Sequence, residues 1–266
     1  MGRSGTRGLP IPNRRMHLLG FATSFGGLGL CALLILRGAR DGCAKLFPLF
    51  YSYLVYVLCS TVVGYFVYWT RPSSHASVYW LSYVLSIVVE FAVLVEISDH
   101  IFQPFRAIRN LGRSLTVLLS SALGLAYVLP AILSSHGMRP ALLDFALRAS
   151  LTKAIILAAL FYAARHFGLK LGRNVAGLML GFSIYVGVNI ANFACDKQFG
   201  NLYSGILWVM SPVAYTLCLL VWTGALWNLA PMPETRTVPI AADSDSEGLV
   251  LELTRFNNAL SRFLHK

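Results

Sequence analysis

Charged residues are scarce in this chain. Asp, Glu, Lys and Arg make up 12% of its 266 residues, whereas 56% of the residues are hydrophobic. A soluble domain usually carries about 25% charged residues. The composition therefore argues against an ordinary soluble domain and indicates a protein that exposes most of its surface to lipid.

Motifs of the common enzyme and cofactor classes are missing as well. The chain has no P-loop, zincin or aspartyl-protease motif, and its last apolar stretch lacks a lysine that could hold retinal. The letters of Gly2-Arg3-Ser4-Gly5 match a rhomboid-type motif, but they lie in a polar tail. The sequence predicts no metal, no cofactor and no nucleic-acid partner, and it favours a non-enzymatic function.

Cysteines are too few and too scattered for a disulfide framework. Of the five cysteines, Cys31, Cys59 and Cys218 lie in apolar stretches, and only Cys195 is near the predicted outer surface. We expect them to act as small packing residues. The chain also lacks an N-x-Ser/Thr sequon, which fits a protein of the bacterial inner membrane.

Long apolar stretches, in contrast, are abundant. A membrane-spanning helix needs about 20 predominantly apolar residues, and the sequence predicts seven such spans, although charged side chains interrupt the fifth. Spans 1 to 7 are Met16–Leu36, Phe47–Trp69, Val78–Ser98, Ser114–Leu133, Ala141–Ala164, Asn174–Ala194 and Ser204–Trp227. The predicted fold is an all-α membrane protein with seven transmembrane helices and a short C-terminal amphipathic helix.

Basic residues are concentrated in alternate connections between these spans. Three connections hold three basic residues each: Arg37, Arg40 and Lys45; Arg106, Arg109 and Arg113; Arg165, Lys170 and Arg173. The other three hold one each: Arg71, Arg139 and Lys197. Because short loops rich in Lys and Arg stay cytoplasmic, the N-terminus is predicted outside and the C-terminus inside. The basic connections are expected to meet anionic lipid head groups.

The residues before Met16 do not follow this pattern. Four arginines precede span 1 on the side predicted to be outside: Arg3, Arg7, Arg14 and Arg15. One interpretation is that translation starts at Met16, so that the basic tail of residues 1–15 is not native. The other is that the loop charges outweigh the tail. Residues 16–228 form the transmembrane domain in both cases.

The composition changes after the last span. Residues 229–247 are rich in proline and acidic residues and are predicted to be a cytoplasmic linker. In residues 248–266, apolar side chains recur at helical spacing, at Leu249, Leu253, Phe256, Leu260 and Phe263. This face predicts an amphipathic helix that docks on the inner leaflet, on the bundle, or on a cytoplasmic protein partner.

Charged side chains inside the spans are the best functional lead. At about 1.5 Å per residue, Glu90 in span 3 and Lys153 in span 5 lie at a similar depth near the middle of the membrane. Each charge costs roughly 2.5–3.5 kcal/mol at a helix centre, so we expect the two to pair, directly or through water. The pair either specifies only how the helices pack or forms a proton or ligand site.

A second polar layer is predicted nearer the outside. Asp144 and Arg148 lie one helical turn apart in span 5, and Tyr185, Asn189 and Asn192 follow one face of span 6. Such a stripe turns away from lipid, toward an outward-facing pocket or toward hydrogen bonds between helices.

Two further patterns concern the helix ends and the packing. Glu96, Asp99 and His100 are predicted to end span 3 at the solvated cytoplasmic surface. The Gly177-x-x-x-Gly181 pattern in span 6 allows a close helix approach, and we expect it to serve the internal bundle rather than a dimer.

The layout of the seven spans resembles uncharacterised bacterial seven-helix membrane proteins. More distantly, it is similar to the seven-helix sensor modules that precede signalling domains. The resemblance rests on topology and on segment Glu90–Arg113, and the chain departs from those sensors because only about 40 residues follow span 7. It implies a receptor-like or accessory protein. The alternative is a small transporter or proton-coupled carrier that uses Glu90 and Lys153.

Overall fold

Helices are the regular structure of the residues that the computed structural model describes. Those residues are 14–103, 138–166, 168–169, 171–199 and 204–227, with isolated positions at 110, 113, 114, 117, 118 and 254. The described helices are α1 (Arg14–Asp41), α2 (Cys43–Leu46), α3 (Pro48–Thr70), α4 (His75–Ile101), α5 (Met138–His166), α6 (Arg173–Phe199) and α7 (Ser204–Leu226). A short 3₁₀ turn, Pro72–Ser74, joins α3 to α4.

Six of these helices coincide with predicted spans 1, 2, 3, 5, 6 and 7. Span 4, Ser114–Leu133, lies mostly outside the described residues, as do residues 1–13 and most of the predicted linker and tail helix. The charged residues in span 5 do not interrupt it, because α5 is continuous over 29 residues. Helix α1 begins at Arg14, two residues before the predicted span.

Among the described residues, four helices are long and apolar enough to cross a membrane: Pro48–Thr70, Ser77–Ile101, Leu142–His166 and Arg173–Gln198. A shorter apolar helix, Met210–Leu226, forms most of α7. Large apolar side chains cover the outside of these helices, for example Phe66, Leu81, Ile155 and Leu180. An apolar surface of this extent is compatible with lipid contact.

The long helices of the described residues contact one another in the order α1, α3, α4, α5, α6, α7 and back to α1, an arrangement that we call the ring; α4 also contacts α6 across it. Contacts between helix termini, such as Glu96 with Leu49 and Arg37 with Trp227, show which termini lie at the same end of the ring. The basic end contains the C-termini of α1, α4, α5 and α7 and the N-termini of α3 and α6, and the far end is the opposite one. Arg37, Arg40, Lys45, Arg165 and Arg173 lie at the basic end.

Local sequence explains two of the turns at the basic end. Gly42 adopts φ 77° between α1 and α2, and Pro48 occupies the first turn of α3, where its missing N–H costs nothing. After α5, Gly168 has φ 61°, and the N–H groups of Gly168 and Leu169 donate to the carbonyls of Arg165 and Ala164. These two bonds form a Schellman motif, which ends the helix.

The predicted close approach of span 6 is confirmed within the bundle. A Cβ atom added at Gly177 would collide with Ala225, and one added at Gly181 would collide with the Trp222 indole. The indole Nε1 donates to the Leu178 carbonyl at 3.2 Å. The two glycines therefore serve the contact between α6 and α7.

Candidate functional site

A charged centre lies inside the ring, where α4, α5 and α6 meet. The Lys153 ammonium donates to the Glu90 Oε2, and the Tyr185 hydroxyl donates to Oε1 of the same carboxylate at 3.0 Å. Lys153 is 0% exposed and Glu90 is 1% exposed. The pairing predicted from the helix depths, directly or through water, is thus observed as a direct contact. Both charged groups are removed from the surface of the described structure, so each depends on the other for compensation.

Further tyrosines surround this centre. The hydroxyls of Tyr53 from α3, Tyr83 from α4 and Tyr215 from α7 all lie within electrostatic range of the Glu90 carboxylate. The Tyr53 hydroxyl faces that of Tyr185, yet it makes no hydrogen bond of regular geometry with a described residue. The sequence analysis missed Tyr83 as a member of this site, whereas the pattern around Pro212 placed Tyr215 beside a predicted outward-facing pocket. The tyrosines of this site lie on separate helices, so no periodicity in the sequence links them to one another.

An aromatic layer lies between the charged centre and the basic end. Phe50, Phe182 and Trp222 are each 0% exposed, and the Trp222 ring centroid is 5.2 Å from that of Phe50 and 5.2 Å from that of Phe182. Tyr53 packs against the same rings, with 5.7 Å between its centroid and that of Phe182. This layer separates Glu90 from the basic end with apolar side chains.

Toward the far end, the predicted polar residues are divided among different contacts. Asp144 pairs with Lys197 of α6 at 2.7 Å, and both side chains are substantially exposed. Arg148 shares the exposed side of α5. Asn192 donates to the Ser211 hydroxyl of α7 at 2.8 Å. Asn189 faces the Tyr185 hydroxyl. The stripe on α6 therefore turns toward neighbouring helices.

At the basic end, the expectation of a solvated terminus for α4 is wrong for Glu96. This side chain is 5% exposed, and its carboxylate accepts the backbone N–H groups of Leu49 at 2.9 Å and Phe50 at 2.8 Å. These groups belong to the first turn of α3, where backbone N–H groups have no partner within the helix. The negative charge also suits the positive end of the helix dipole. Glu96 is thus an N-terminal cap supplied by another helix.

Two arginines hold the C-terminal end of α7. The Arg37 guanidinium donates to the Trp227 carbonyl at 2.8 Å and 3.2 Å and lies 4.0 Å from the centroid of its ring. Arg173 donates to the Gly224 carbonyl at 3.0 Å. Cations at this position satisfy the last carbonyls and the negative end of the dipole. The sequence pattern assigned both arginines to lipid head groups and did not indicate these protein contacts.

The remaining predictions concern metals and the tail. Within the described residues, no group of three or more His, Cys, Asp or Glu side chains could hold a metal ion. The docking face of the tail consists of Leu249, Leu253, Phe256, Leu260 and Phe263, all of which lie outside the described residues. Its docking therefore stays a prediction.

Comparisons with known proteins complete the description of the site. No protein-family model matches the chain, and searches of curated proteins and of solved structures give no match.

Proposed function

We propose that this chain is a seven-span protein of the bacterial inner membrane that acts as a receptor-like or accessory protein without enzymatic activity. Its N-terminus lies outside and its C-terminus inside. The observation that supports this proposal is that the surroundings of the charged centre differ on its two sides. The aromatic layer lies between the charged centre and the basic end, whereas Tyr83, Ser150 and Asn189 place polar groups in the ring on the far-end side.

Signalling would proceed from the charged centre to the cytoplasmic side. Glu90, Lys153 and Tyr185 connect three helices, so a ligand that competes for any of these groups changes how α4, α5 and α6 are held together. A ligand shifts a conformational equilibrium only by its different affinity for the two states. The basic loops and the amphipathic tail are the surfaces available for a cytoplasmic partner.

A proton-coupled carrier is the second candidate, and the intramembrane position of Glu90 and Lys153 favours it, since such charges commonly mark ion pathways. A carrier must open its site to both sides in turn. Three contacts would have to yield at the basic end: the aromatic layer, the Glu96 cap on α3, and the arginine contacts with α7. These contacts make the receptor-like function the better supported one.

Proton flux separates the two candidates. The full chain is reconstituted in vesicles that contain a pH-sensitive dye, and a pH gradient is imposed with a potassium gradient and valinomycin to balance charge. A receptor-like protein gives no flux above that of empty vesicles. Flux that the wild type supports and Glu90→Gln abolishes would overturn the proposal in favour of a carrier.

The docking role of the tail is tested in native membranes. With a crosslinker applied to cells, the double variant Leu253→Glu and Phe256→Glu should lose any protein crosslinked by the wild type. The matched control is Asn257→Glu and Asn258→Glu, which adds the same charge beside the apolar face. Equal crosslinking by both variants would contradict a partner that docks on this face.

The orientation is tested independently by reporter fusions. A cytoplasmically active fluorescent protein should be bright when joined after residue 227. A periplasmically active phosphatase should be active when inserted at residue 72, in the connection between α3 and α4. The reverse result would contradict the N-out, C-in arrangement.

A further inference from the structure

Five buried polar atoms around the charged centre make no hydrogen bond of regular geometry with a described residue. They are the hydroxyls of Tyr53, Tyr83, Tyr215 and Ser150 and the side-chain nitrogen of Asn189. Each lies beside another polar group: Tyr83 beside Ser150, Tyr53 and Asn189 beside the Tyr185 hydroxyl, and Tyr215 beside Cys31. They come from five different helices. Ser150 is 0% exposed and Tyr53 is 1% exposed. Ser98 and Thr223, near the basic end, carry two other such atoms.

Buried polar groups without a well-formed hydrogen bond are places where a bound small molecule can complete the hydrogen bonding. Buried polar atoms in folded proteins are almost always hydrogen-bonded, and the exceptions require an explanation. All five groups can donate a hydrogen bond, and the four hydroxyls can also accept one. Water can both donate and accept hydrogen bonds, so it suits all five groups. A buried water molecule makes about three hydrogen bonds.

Three of the five groups lie on the far-end side of the charged centre, whereas Tyr53 packs on the aromatic layer and Tyr215 lies at about the depth of Glu90. Tyr83 lies about two turns from Glu90 along α4, Ser150 about one turn from Lys153 along α5, and Asn189 about one turn from Tyr185 along α6, all toward the far end. Tyr83 and Ser150 face each other.

The same direction leads to the surface. Beyond Asn189 come the Asn192–Ser211 hydrogen bond and then the exposed Asp144–Lys197 pair. In the opposite direction, Phe50, Phe182 and Trp222 offer apolar ring faces.

We propose that the ring encloses a water-filled half-channel that opens at the far end and stops at the Glu90–Lys153 pair. Water hydrogen-bonds to Tyr83, Ser150 and Asn189 along its length and reaches the Tyr185 hydroxyl at its closed end. The aromatic layer keeps this water apart from the polar groups at the basic end. The inference applies to a receptor and to a carrier alike, so it does not depend on the proposed function.

X-ray radiolysis with mass spectrometry tests the half-channel directly. Hydroxyl radicals formed from bound water oxidise the aromatic side chains beside it, including buried ones. In the full chain held in lipid nanodiscs, Tyr83 and Tyr185 should be oxidised several-fold faster than Phe50, Phe182 and Trp222. An indole reacts at least as fast as a phenol, so oxidation of both tyrosines no faster than that of Trp222 would overturn the proposal.

A variant tests the route of the water. Asn189→Leu fills the channel beside Tyr185, and it should reduce oxidation of Tyr185 several-fold while leaving Tyr83, which lies nearer the opening, unchanged. The control Ala191→Leu adds similar bulk on the exposed side of α6 and should change neither rate. Unchanged oxidation of Tyr185 in folded Asn189→Leu would contradict this route. If Asn189→Leu does not fold, the wild-type comparison decides.

Discussion

Lys153 and Glu90 form an ion pair between α5 and α4 in which neither side chain is more than 1% exposed. Removing one partner leaves the other buried without compensation, which typically costs about 3–5 kcal/mol. Lys153→Met should therefore lower the free energy of unfolding by that amount, measured by denaturant titration in mixed micelles.

Two comparisons make this prediction specific. Lys197→Met removes an exposed pair and should cost at most about 1 kcal/mol. The double variant Glu90→Gln and Lys153→Met should be more stable than Lys153→Met alone, because no uncompensated charge remains. A cost for Lys153→Met equal to that of Lys197→Met would show that the pair contributes little.

The Tyr185 hydroxyl donates to a charged acceptor, and such hydrogen bonds contribute about 1.5–3 kcal/mol. Tyr185→Phe should lower the free energy of unfolding by about that much in the wild-type background. In the Glu90→Gln background the cost should shrink, since the acceptor is then neutral. The exposed Tyr162→Phe serves as control and should change stability by less than about 0.5 kcal/mol. Additive effects of Tyr185→Phe and Glu90→Gln would contradict the coupling.

Glu96 accepts two backbone N–H groups of α3, so Glu96→Ala should leave both without a partner. We expect a loss of about 1–3 kcal/mol. Amide hydrogen exchange should also become faster at Leu49 and Phe50, the two donors. Asp99→Ala, three residues along the same helix, is the control and should leave exchange at both amides unchanged. Exchange at these amides that is equally slow in Glu96→Ala would argue against the cap.

Glycines within α6 should respond to alanine in opposite directions. Gly181→Ala places a methyl group against the Trp222 indole and should destabilise the protein, as should Gly177→Ala against Ala225. At Gly187 an added Cβ meets nothing within 4 Å among the described residues, so Gly187→Ala should stabilise the helix by up to about 1 kcal/mol. Thermal unfolding in detergent measures all three. A shift of the same sign for Gly181→Ala and Gly187→Ala would contradict the close packing of α6 on α7.

What the sequence could predict depended on distances along a helix. The rise per residue placed Glu90 and Lys153 at one depth, and apolar length located six of the described helices. Depth alone does not say which helices are neighbours. The partners of Glu96, Arg37 and Asp144 were therefore missed, because each depends on the order of the helices around the ring.

The same limit explains the aromatic layer. Its rings come from α3, α6 and α7, and in each helix the residue concerned is one of many apolar ones. Periodicity could not distinguish Phe50 or Trp222 from aromatic residues that face lipid. Only the packing of the ring brings these side chains together.

The Arg37 contact has a consequence for whatever follows α7. Trp227 is held through its carbonyl and its ring by one guanidinium from α1, and Arg173 from α6 holds the preceding turn. The C-terminal end of α7 is therefore tied to both α1 and α6. A rotation of α1 or of α6 would move Trp227 together with the end of α7.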